Sequence, residues 1–202
     1  MTIDELMQTA PVIPVLVLDG ELDPVALAET LVEAGLPVLE VTLRTPQALD
    51  AVRVMARVSG TIVGAGTVLN ERQLREAEDA GARFIVAPGL TEPLTRAAMA
   101  SDLAYLPGVS SAGDIMRGLD LGLSRFKFFP AVASGGLDTI RALAGPFGEV
   151  RFCPTGGITE ATAPDWLAEP AVACVGGSWM VKNGMSLAEI GETARRAARL
   201  AR

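Results

Sequence analysis

The chain has 202 residues, a length typical of one domain, and 50% of them are hydrophobic, so it can bury a substantial core. Its net charge of −7 argues against nucleic acid and against an anionic membrane surface as partners. The sequence contains no histidine, which excludes histidine-ligated metal sites and histidine-activated nucleophiles.

The N-terminal region and the cysteines bear on whether the protein is secreted or cytoplasmic. Residues 1–11 carry Asp4 and Glu5 where a signal peptide would have a basic region and a long apolar run. No apolar stretch is long enough to span a bilayer, so no membrane association is expected. Cys153 and Cys174 lie in apolar, strand-like runs and are interpreted as buried thiols rather than as a disulfide. We therefore expect a cytoplasmic protein.

Short apolar runs rich in β-branched residues alternate along the chain with longer amphipathic runs. The short runs predict eight strands, at 12–18, 37–43, 61–65, 83–87, 103–106, 125–129, 150–154 and 171–175. The long runs predict helices at 24–34, 46–58, 70–80, 91–100, 111–121, 137–144, 161–168 and 187–201. Residues 1–11 predict a short extra helix ahead of the first strand.

Strict alternation of strands and helices implies a parallel sheet, and hence an α/β fold. Eight strand–helix units spaced by roughly 20–25 residues predict a (β/α)8 TIM barrel with a short N-terminal extra helix, at the short end of the size range for that fold. We expect residues 1–202 to form one domain. An open, doubly wound sheet is the alternative, but no GxGxxG motif follows the first strand.

Lys127 lies in an aromatic strand-like run, between Phe126 and Phe128. The chain has 17 basic residues, of which only Lys127 and Lys182 are lysine. Lysine can act as a nucleophile and form a Schiff base, whereas arginine cannot. The alternative to a nucleophile is a lysine without a catalytic role. Its aliphatic stem would be buried, and its ammonium would reach solvent at one end of the barrel.

Glu40 is the carboxylate that the pattern places opposite Lys127. In the second predicted strand Glu40, Thr42 and Arg44 share one face, while the apolar residues between them face the helices. The second and sixth strands of a barrel contribute inward side chains to the same layers. We therefore expect Glu40 and Lys127 to meet in one pocket, either as a catalytic pair or as a buried ion pair without chemistry.

Glycines follow several predicted strands, at the end of a barrel where active sites lie. They lie in the segments GAG at 64–66, PG at 88–89 and 107–108, and GG at 156–157 and 176–177. Turn geometry alone accounts for each glycine singly. The pairs after the last two strands, together with Ser178, predict a phosphate site built from backbone N–H groups.

Six segments together resemble the 2-keto-3-deoxy-6-phosphogluconate (KDPG) aldolase family, and they cover nearly the whole chain in order. They are VLEVTLRT at 38–45, VGAGTVL at 63–69, PGLT at 88–91, FKFFP at 126–130, RFCPTGGI at 151–158 and GGSW at 176–179. The resemblance implies a homotrimeric class I aldolase without metal or organic cofactor. Its implied reaction is the cleavage of KDPG to pyruvate and glyceraldehyde 3-phosphate in the Entner–Doudoroff pathway.

The resemblance also implies roles for individual residues. Lys127 would form the Schiff base with the C2 carbonyl, and Glu40 would transfer protons. Substrate contacts are implied for Arg44 and Thr67 at the carboxylate, Pro88 and Phe129 around the pyruvate portion, Thr155 at the hydroxyls, and Gly156, Gly157, Gly177 and Ser178 at the phosphate. Galactonate-epimer aldolases resemble this family but carry valine at the position of Thr155, so Thr155 favours the gluconate epimer.

Two other functions remain open at this point. One is a broader 2-keto-4-hydroxyglutarate aldolase that also decarboxylates oxaloacetate, which would use the same lysine without needing a phosphate. The other is a non-catalytic barrel that binds phosphosugars. The combination of Glu40, Arg44 and Lys127 disfavours the second alternative.

Overall fold

The computed structural model describes residues 1–201 as strands alternating with helices. The strands are β1 (Val12–Leu16), β2 (Val38–Thr42), β3 (Ile62–Gly66), β4 (Phe84–Val86), β5 (Ala104–Leu106), β6 (Gly108–Val109), β7 (Arg125–Phe128), β8 (Arg151–Pro154) and β9 (Val175–Gly177). The helices are α1 (Ile3–Thr9), α2 (Pro24–Glu33), α3 (Ala48–Met55), α4 (Glu71–Asp79), α5 (Glu92–Met99), α6 (Ala112–Asp120), α7 (Gly136–Ala144), α8 (Ala163–Leu167) and α9 (Leu187–Ala198).

The strands are parallel and form two sheets in the described part of the chain. One sheet has the order β5-β4-β3-β2-β1-β9 and the other the order β6-β7-β8. Isolated parallel bridges between Phe152 and Val172 and between Thr155 and Gly176 lie between β8 and the chain leading into β9. The parallel α/β fold predicted from the alternation is therefore confirmed.

The predicted fifth strand at 103–106 is confirmed as β5, and a further short strand that was not predicted, β6, follows it after Pro107. β5 pairs with β4, whereas β6 pairs with β7 in a register that places Gly108 beside Lys127. Proline has no N–H to donate to a ladder, so a strand is commonly interrupted there. The two short pieces thus belong to different sheets, although they are separated by a single residue.

Several glycines predicted to follow strands lie inside them instead. Gly64 and Gly66 belong to β3, and Gly176 and Gly177 belong to β9, while the run at 171–174 contributes only an isolated bridge. An apolar run indicates burial, but pairing depends on the neighbouring strand, which the local pattern does not contain. The predicted strand at 171–175 was therefore placed too early in the chain.

The helix signals at the chain's first and fourth helices agree with the structure. Asn70 accepts a 3.0 Å hydrogen bond from the backbone N–H of Gln73 and begins α4, which ends just before Gly81. The short N-terminal helix is present as α1, and its Leu6 and Met7 are buried. Asp4 of α1 forms an ion pair with Arg125 at the start of β7. α1 therefore packs near the amino end of that strand.

Other helices are shorter than predicted. α3 spans 48–55 rather than 46–58, and α9 ends at Ala198 rather than at 201. Helix ends depend on the last hydrogen-bonded turn, which composition locates poorly. Among residues 1–201, no helix has the length and apolar character needed to cross a membrane.

Candidate active site at the carboxyl ends of the strands

Lys127 and Glu40 form a buried ion pair. The Nζ atom of Lys127 lies 3.0 Å from Oε1 and 3.3 Å from Oε2 of Glu40. The two residues are 6% and 3% exposed, so water screens the pair weakly. The Nζ atom also lies 5.4 Å from the centroid of the Phe129 ring, within the range of a cation–π contact. The meeting of Glu40 and Lys127 predicted from strand alternation is confirmed.

The alternation within β2 explains why a carboxylate points inward. All five residues of β2 are buried, with Leu39 and Val41 in the main hydrophobic core and Glu40 and Thr42 on the other face. The Thr42 hydroxyl donates a 2.9 Å hydrogen bond to the carbonyl of Leu16 in β1. β2 therefore presents polar groups to the interior between the strands while its apolar side chains pack against helices.

Arg44, Thr67 and Pro88 lie one or two residues beyond the ends of β2, β3 and β4. These strands are parallel and paired in register, so their carboxyl ends meet at one edge. Arg44 is exposed, while Thr67 and Pro88 are partly buried. Within residues 1–201, none of the three hydrogen-bonds Lys127 or Glu40. The structure thus groups the three residues at the carboxyl ends of β2, β3 and β4, without a hydrogen bond to the pair.

The backbone of Thr67 is strained, which the sequence did not indicate. Its φ of 61° lies in the left-handed region, which a β-branched residue rarely adopts. Such strain costs on the order of 1–3 kcal/mol and is concentrated at binding and catalytic sites. Only the tertiary structure reveals it, because no local motif at Thr67 predicts a positive φ.

The residues predicted to bind phosphate surround the ends of β8 and β9. Thr155 follows β8, is buried, and forms a bridge to Gly176 of β9. Gly156 and Gly157 have φ values of 105° and 82°, a conformation that favours glycine. Gly177 ends β9 and the exposed Ser178 follows it, so the bridge brings the two predicted segments together.

Two glycines lie directly beside these side chains, and one of them, Gly66, was missed as a site residue. A Cβ atom built on Gly176 would lie 2.2 Å from Oγ1 of Thr155, and one built on Gly66 would lie 2.2 Å from Oε1 of Glu40. Gly176 already belonged to the predicted phosphate site, whereas Gly66 was interpreted only as a glycine that follows a strand. The available signal was the spacing of Gly64 and Gly66, which puts both on the inward face of a strand.

The arrangement can activate an amine and move protons. A carboxylate within hydrogen-bond distance of a lysine ammonium can accept its proton and leave a neutral nucleophile. The aromatic ring of Phe129 and the low exposure of both groups restrict water around the amine. The exposed Arg44 nearby is suited to hold a carboxylate with two hydrogen bonds.

Known proteins match this chain closely. The family model described as KDPG and KHG aldolase matches residues 3–194. A 2-dehydro-3-deoxy-phosphogluconate aldolase of Zymomonas mobilis is 56% identical over 182 residues, covering 90% of this chain and 88% of the relative. The crystal structure of a 2-keto-3-deoxy-6-phosphogluconate aldolase from Zymomonas mobilis superposes with a TM-score of 0.98 at 53% identity, covering 100% of this chain and 98% of that one.

A third match concerns the chemistry. The KDPG aldolase of Legionella pneumophila, solved with pyruvate captured at low pH as a covalent carbinolamine intermediate, superposes with a TM-score of 0.93. It is 40% identical, and the match covers 96% of this chain and 97% of that one.

The fold, the buried lysine–carboxylate pair and these matches define a carbon–carbon lyase of the aldehyde-lyase class. The chain belongs to the KDPG and KHG aldolase family.

Proposed function

We propose that this protein is a class I aldolase that cleaves KDPG to pyruvate and glyceraldehyde 3-phosphate in the Entner–Doudoroff pathway. The observation that carries the proposal is the buried Lys127–Glu40 pair, with 3.0 Å between Nζ and Oε1. The 56% identity to the Zymomonas mobilis aldolase supports the substrate, and the carbinolamine trapped in the Legionella pneumophila relative supports the mechanism.

The proposed reaction begins when Glu40 takes a proton from the Lys127 ammonium. The neutral amine attacks the C2 carbonyl of KDPG to form a carbinolamine. Its hydroxyl takes the proton from Glu40 and leaves as water, which gives an iminium ion and restores the Glu40 carboxylate. Glu40, acting through water, then removes the proton of the C4 hydroxyl. The C3–C4 bond breaks, its electron pair enters the iminium as an enamine, and glyceraldehyde 3-phosphate leaves. Protonation of the enamine at C3 and hydrolysis by water release pyruvate and restore Lys127.

The residues at the strand ends would hold the substrate in register. Arg44 and Thr67 bind the carboxylate, and Pro88 and Phe129 line the pyruvate portion. Thr155 contacts the hydroxyl groups, which favours the gluconate epimer. The phosphate binds at Gly156, Gly157, Gly177 and Ser178. The positions of these residues beyond or at the carboxyl ends of parallel strands support these assignments.

Borohydride trapping tests the proposal. The protein is incubated with pyruvate or with KDPG, reduced, digested and analysed by peptide mass spectrometry. We expect a stable adduct on Lys127 with either ligand, unchanged in the matched control Lys182→Met and absent in Lys127→Met. An adduct confined to Lys182, or no adduct at all, would contradict the Schiff-base mechanism.

A second activity is supported by the family description, which includes KHG aldolases as well as KDPG aldolases. The same lysine can cleave 2-keto-4-hydroxyglutarate and decarboxylate oxaloacetate, because both substrates carry a 2-keto acid. The ratio of kcat/KM for KDPG to that for the unphosphorylated substrate separates the two. A ratio well above one makes KDPG cleavage the main activity, and a ratio near one makes the broader activity primary.

A non-catalytic phosphosugar-binding protein is the remaining alternative. Burying a lysine and a glutamate together is costly without a use, and this observation favours the enzyme. Enzyme and binding protein are distinguished by testing whether the Lys127→Met variant restores growth in a strain that depends on this protein. Full complementation by that variant would support the binding protein, and loss of complementation supports the aldolase.

The architecture and assembly also belong to this proposal. Residues 1–202 form a single domain in which the two sheets close into one (β/α)8 barrel. The bridges between β8 and the chain at 172–176, and the direct succession of β5 and β6, support this closure.

The protein is a cytoplasmic homotrimer, so light scattering should give about three times the 21.0 kDa chain mass. The buried thiols of Cys153 and Cys174 suit a reducing compartment.

A further inference from the structure

The carboxylate of Glu40 lies directly over Gly66 of the neighbouring strand. A Cβ atom built on Gly66 would fall 2.2 Å from Oε1, 2.6 Å from Cγ and 2.8 Å from Cδ of Glu40. Real Cβ atoms essentially never approach other atoms this closely, so any side chain at Gly66 would displace the glutamate. The contact involves the whole outer half of the Glu40 side chain rather than its tip.

The backbone conformation does not require glycine at this position. Gly66 is not among the residues with positive φ and lies in a regular parallel strand. It pairs with Thr42, two residues beyond Glu40. The Glu40 side chain therefore leans along its strand, toward the carboxyl ends, and passes over the neighbouring glycine. Alanine would be better than glycine for strand formation alone, so space for Glu40 is the remaining reason for glycine.

We propose that Gly66 is a positioning residue for proton transfer: its missing side chain leaves the space that holds the Glu40 carboxylate against Lys127. The inference rests on the proposed aldolase function. Both carboxylate oxygens lie within 3.3 Å of Nζ in this arrangement. A methyl group at Gly66 must turn the carboxylate away, and Lys127 then loses the group that accepts its proton.

Gly64 provides a matched control in the same strand and on the same face. A Cβ atom built on Gly64 would lie 2.5 Å from ring atoms of Phe84, a core residue, and its nearest contacts do not include Glu40. Gly64→Ala and Gly66→Ala thus introduce the same methyl group into the same strand with comparable crowding. Gly64 pairs with Glu40 across the strands, but only at Gly66 does the new methyl group have the Glu40 carboxylate among its nearest atoms.

The test compares the two variants by thermal denaturation, by KDPG cleavage and by exchange of the methyl protons of pyruvate with solvent. Exchange reports proton transfer without C–C cleavage and without a phosphate. We expect Gly66→Ala to lower kcat and the exchange rate by about 10²-fold, the size typical of a misplaced catalytic group, with KM for KDPG changed less than threefold. Gly64→Ala should lower Tm while both rates per folded molecule stay within about threefold of wild type.

A double variant keeps the proposal testable if Gly66→Ala folds poorly. Glu40→Ala removes the side chain that the new methyl group meets, so Glu40→Ala/Gly66→Ala should match Glu40→Ala in Tm and in residual activity. A folded double variant beside an unfolded Gly66→Ala single variant supports the proposal. A further large loss of activity or stability in the double variant overturns it, because Gly66 would then act on another group.

The outcomes also separate this inference from the proposed function. Wild-type cleavage and exchange together with unimpaired rates in Gly66→Ala overturn the positioning role and leave the aldolase intact. Absence of cleavage, exchange and borohydride adduct in the wild-type protein contradicts the proposed function itself, and the role of Gly66 in proton transfer fails with it.

Discussion

At the scale of single residues, the proposed function depends on a lysine and a glutamate that are buried together. A buried ion pair contributes little net stability, because desolvation of both charges offsets their attraction. Removing one partner leaves the other charge buried and unpaired, which typically lowers the free energy of unfolding by about 3–5 kcal/mol. Stability is therefore a weak explanation of the Lys127–Glu40 pair, and this favours the chemistry proposed for it.

Replacement of Glu40 by glutamine tests its proposed role at this scale. Glutamine keeps the size and can still accept a hydrogen bond from Lys127, but it cannot accept a proton. We expect Glu40→Gln to lower kcat by about 10²–10⁴-fold, the usual contribution of a general acid–base group. Steady-state cleavage assays measure this. The control Glu160→Gln removes a surface ion pair with Arg196 and should leave kcat unchanged.

Replacement of Thr155 by valine tests epimer selectivity. The Thr155 hydroxyl is buried and donates a long hydrogen bond of 3.4 Å to the carbonyl of Cys153. It is therefore available to a substrate hydroxyl. We expect Thr155→Val to lower the preference for the gluconate over the galactonate epimer by roughly five- to tenfold, the value of about one hydrogen bond. An unchanged ratio of kcat/KM values would remove Thr155 from selectivity.

At the scale of elements, local capping sequences mark where some of the helices begin. Ser111 and Asp114 form a capping box at the start of α6, and Ser186 and Glu189 form another at the start of α9. Each box satisfies backbone N–H groups that the first helical turn leaves without partners. The residues involved are four positions or fewer apart, so the sequence alone specifies the contact.

The capping carboxylate of α6 predicts a pH dependence of stability. Partial burial opposes its ionisation, but hydrogen bonds from Ser110 and Ser111 and the charge of Arg117 outweigh this, so the pKa of Asp114 lies below its ordinary value. A depressed pKa means that the stabilisation is present above the unfolded-state pKa, about 3.9, and is lost as the pH falls through the folded-state pKa.

We accordingly expect Asp114→Asn to lower Tm at pH 6–7, and the difference from wild type to shrink as the pH falls below about 4. Thermal denaturation across this range measures the effect. Leu119→Ala, at a partly exposed apolar position of the same helix, changes no ionisable group and should show a pH-independent difference. A constant difference for Asp114→Asn would contradict the role of its charge.

Across the whole molecule, α1 and the candidate substrate-binding residues lie at opposite ends of the strands. α1 packs Leu6 and Met7 into the apolar cluster that includes Phe84 and Cys153, near the amino end of β7. The catalytic candidates lie toward the carboxyl ends. This separation lets the amino end be packed for stability while the other end remains open to substrate.

Leu6→Ala should therefore destabilise the protein without affecting catalysis. Deleting a buried leucine side chain typically costs about 2–5 kcal/mol. In a chain of this length that corresponds to a decrease in Tm of roughly 5–15 °C. kcat per folded molecule should match wild type, and Met116→Ala, at an exposed position, should change Tm little. A loss of kcat at temperatures where Leu6→Ala is folded would show that α1 affects the active site.

The sequence by itself determined the alternation of strands and helices, the inward face of β2, and the pairing of Glu40 with Lys127, because side-chain direction in a strand follows a period of two. The tertiary structure alone decided the presence of β6 after Pro107, the extent of β9, the strained φ of Thr67 and the close approach of Glu40 to Gly66. These features depend on which strands are neighbours and in what register they pair. Register is set by residues far apart in the chain, and no local pattern contains that information.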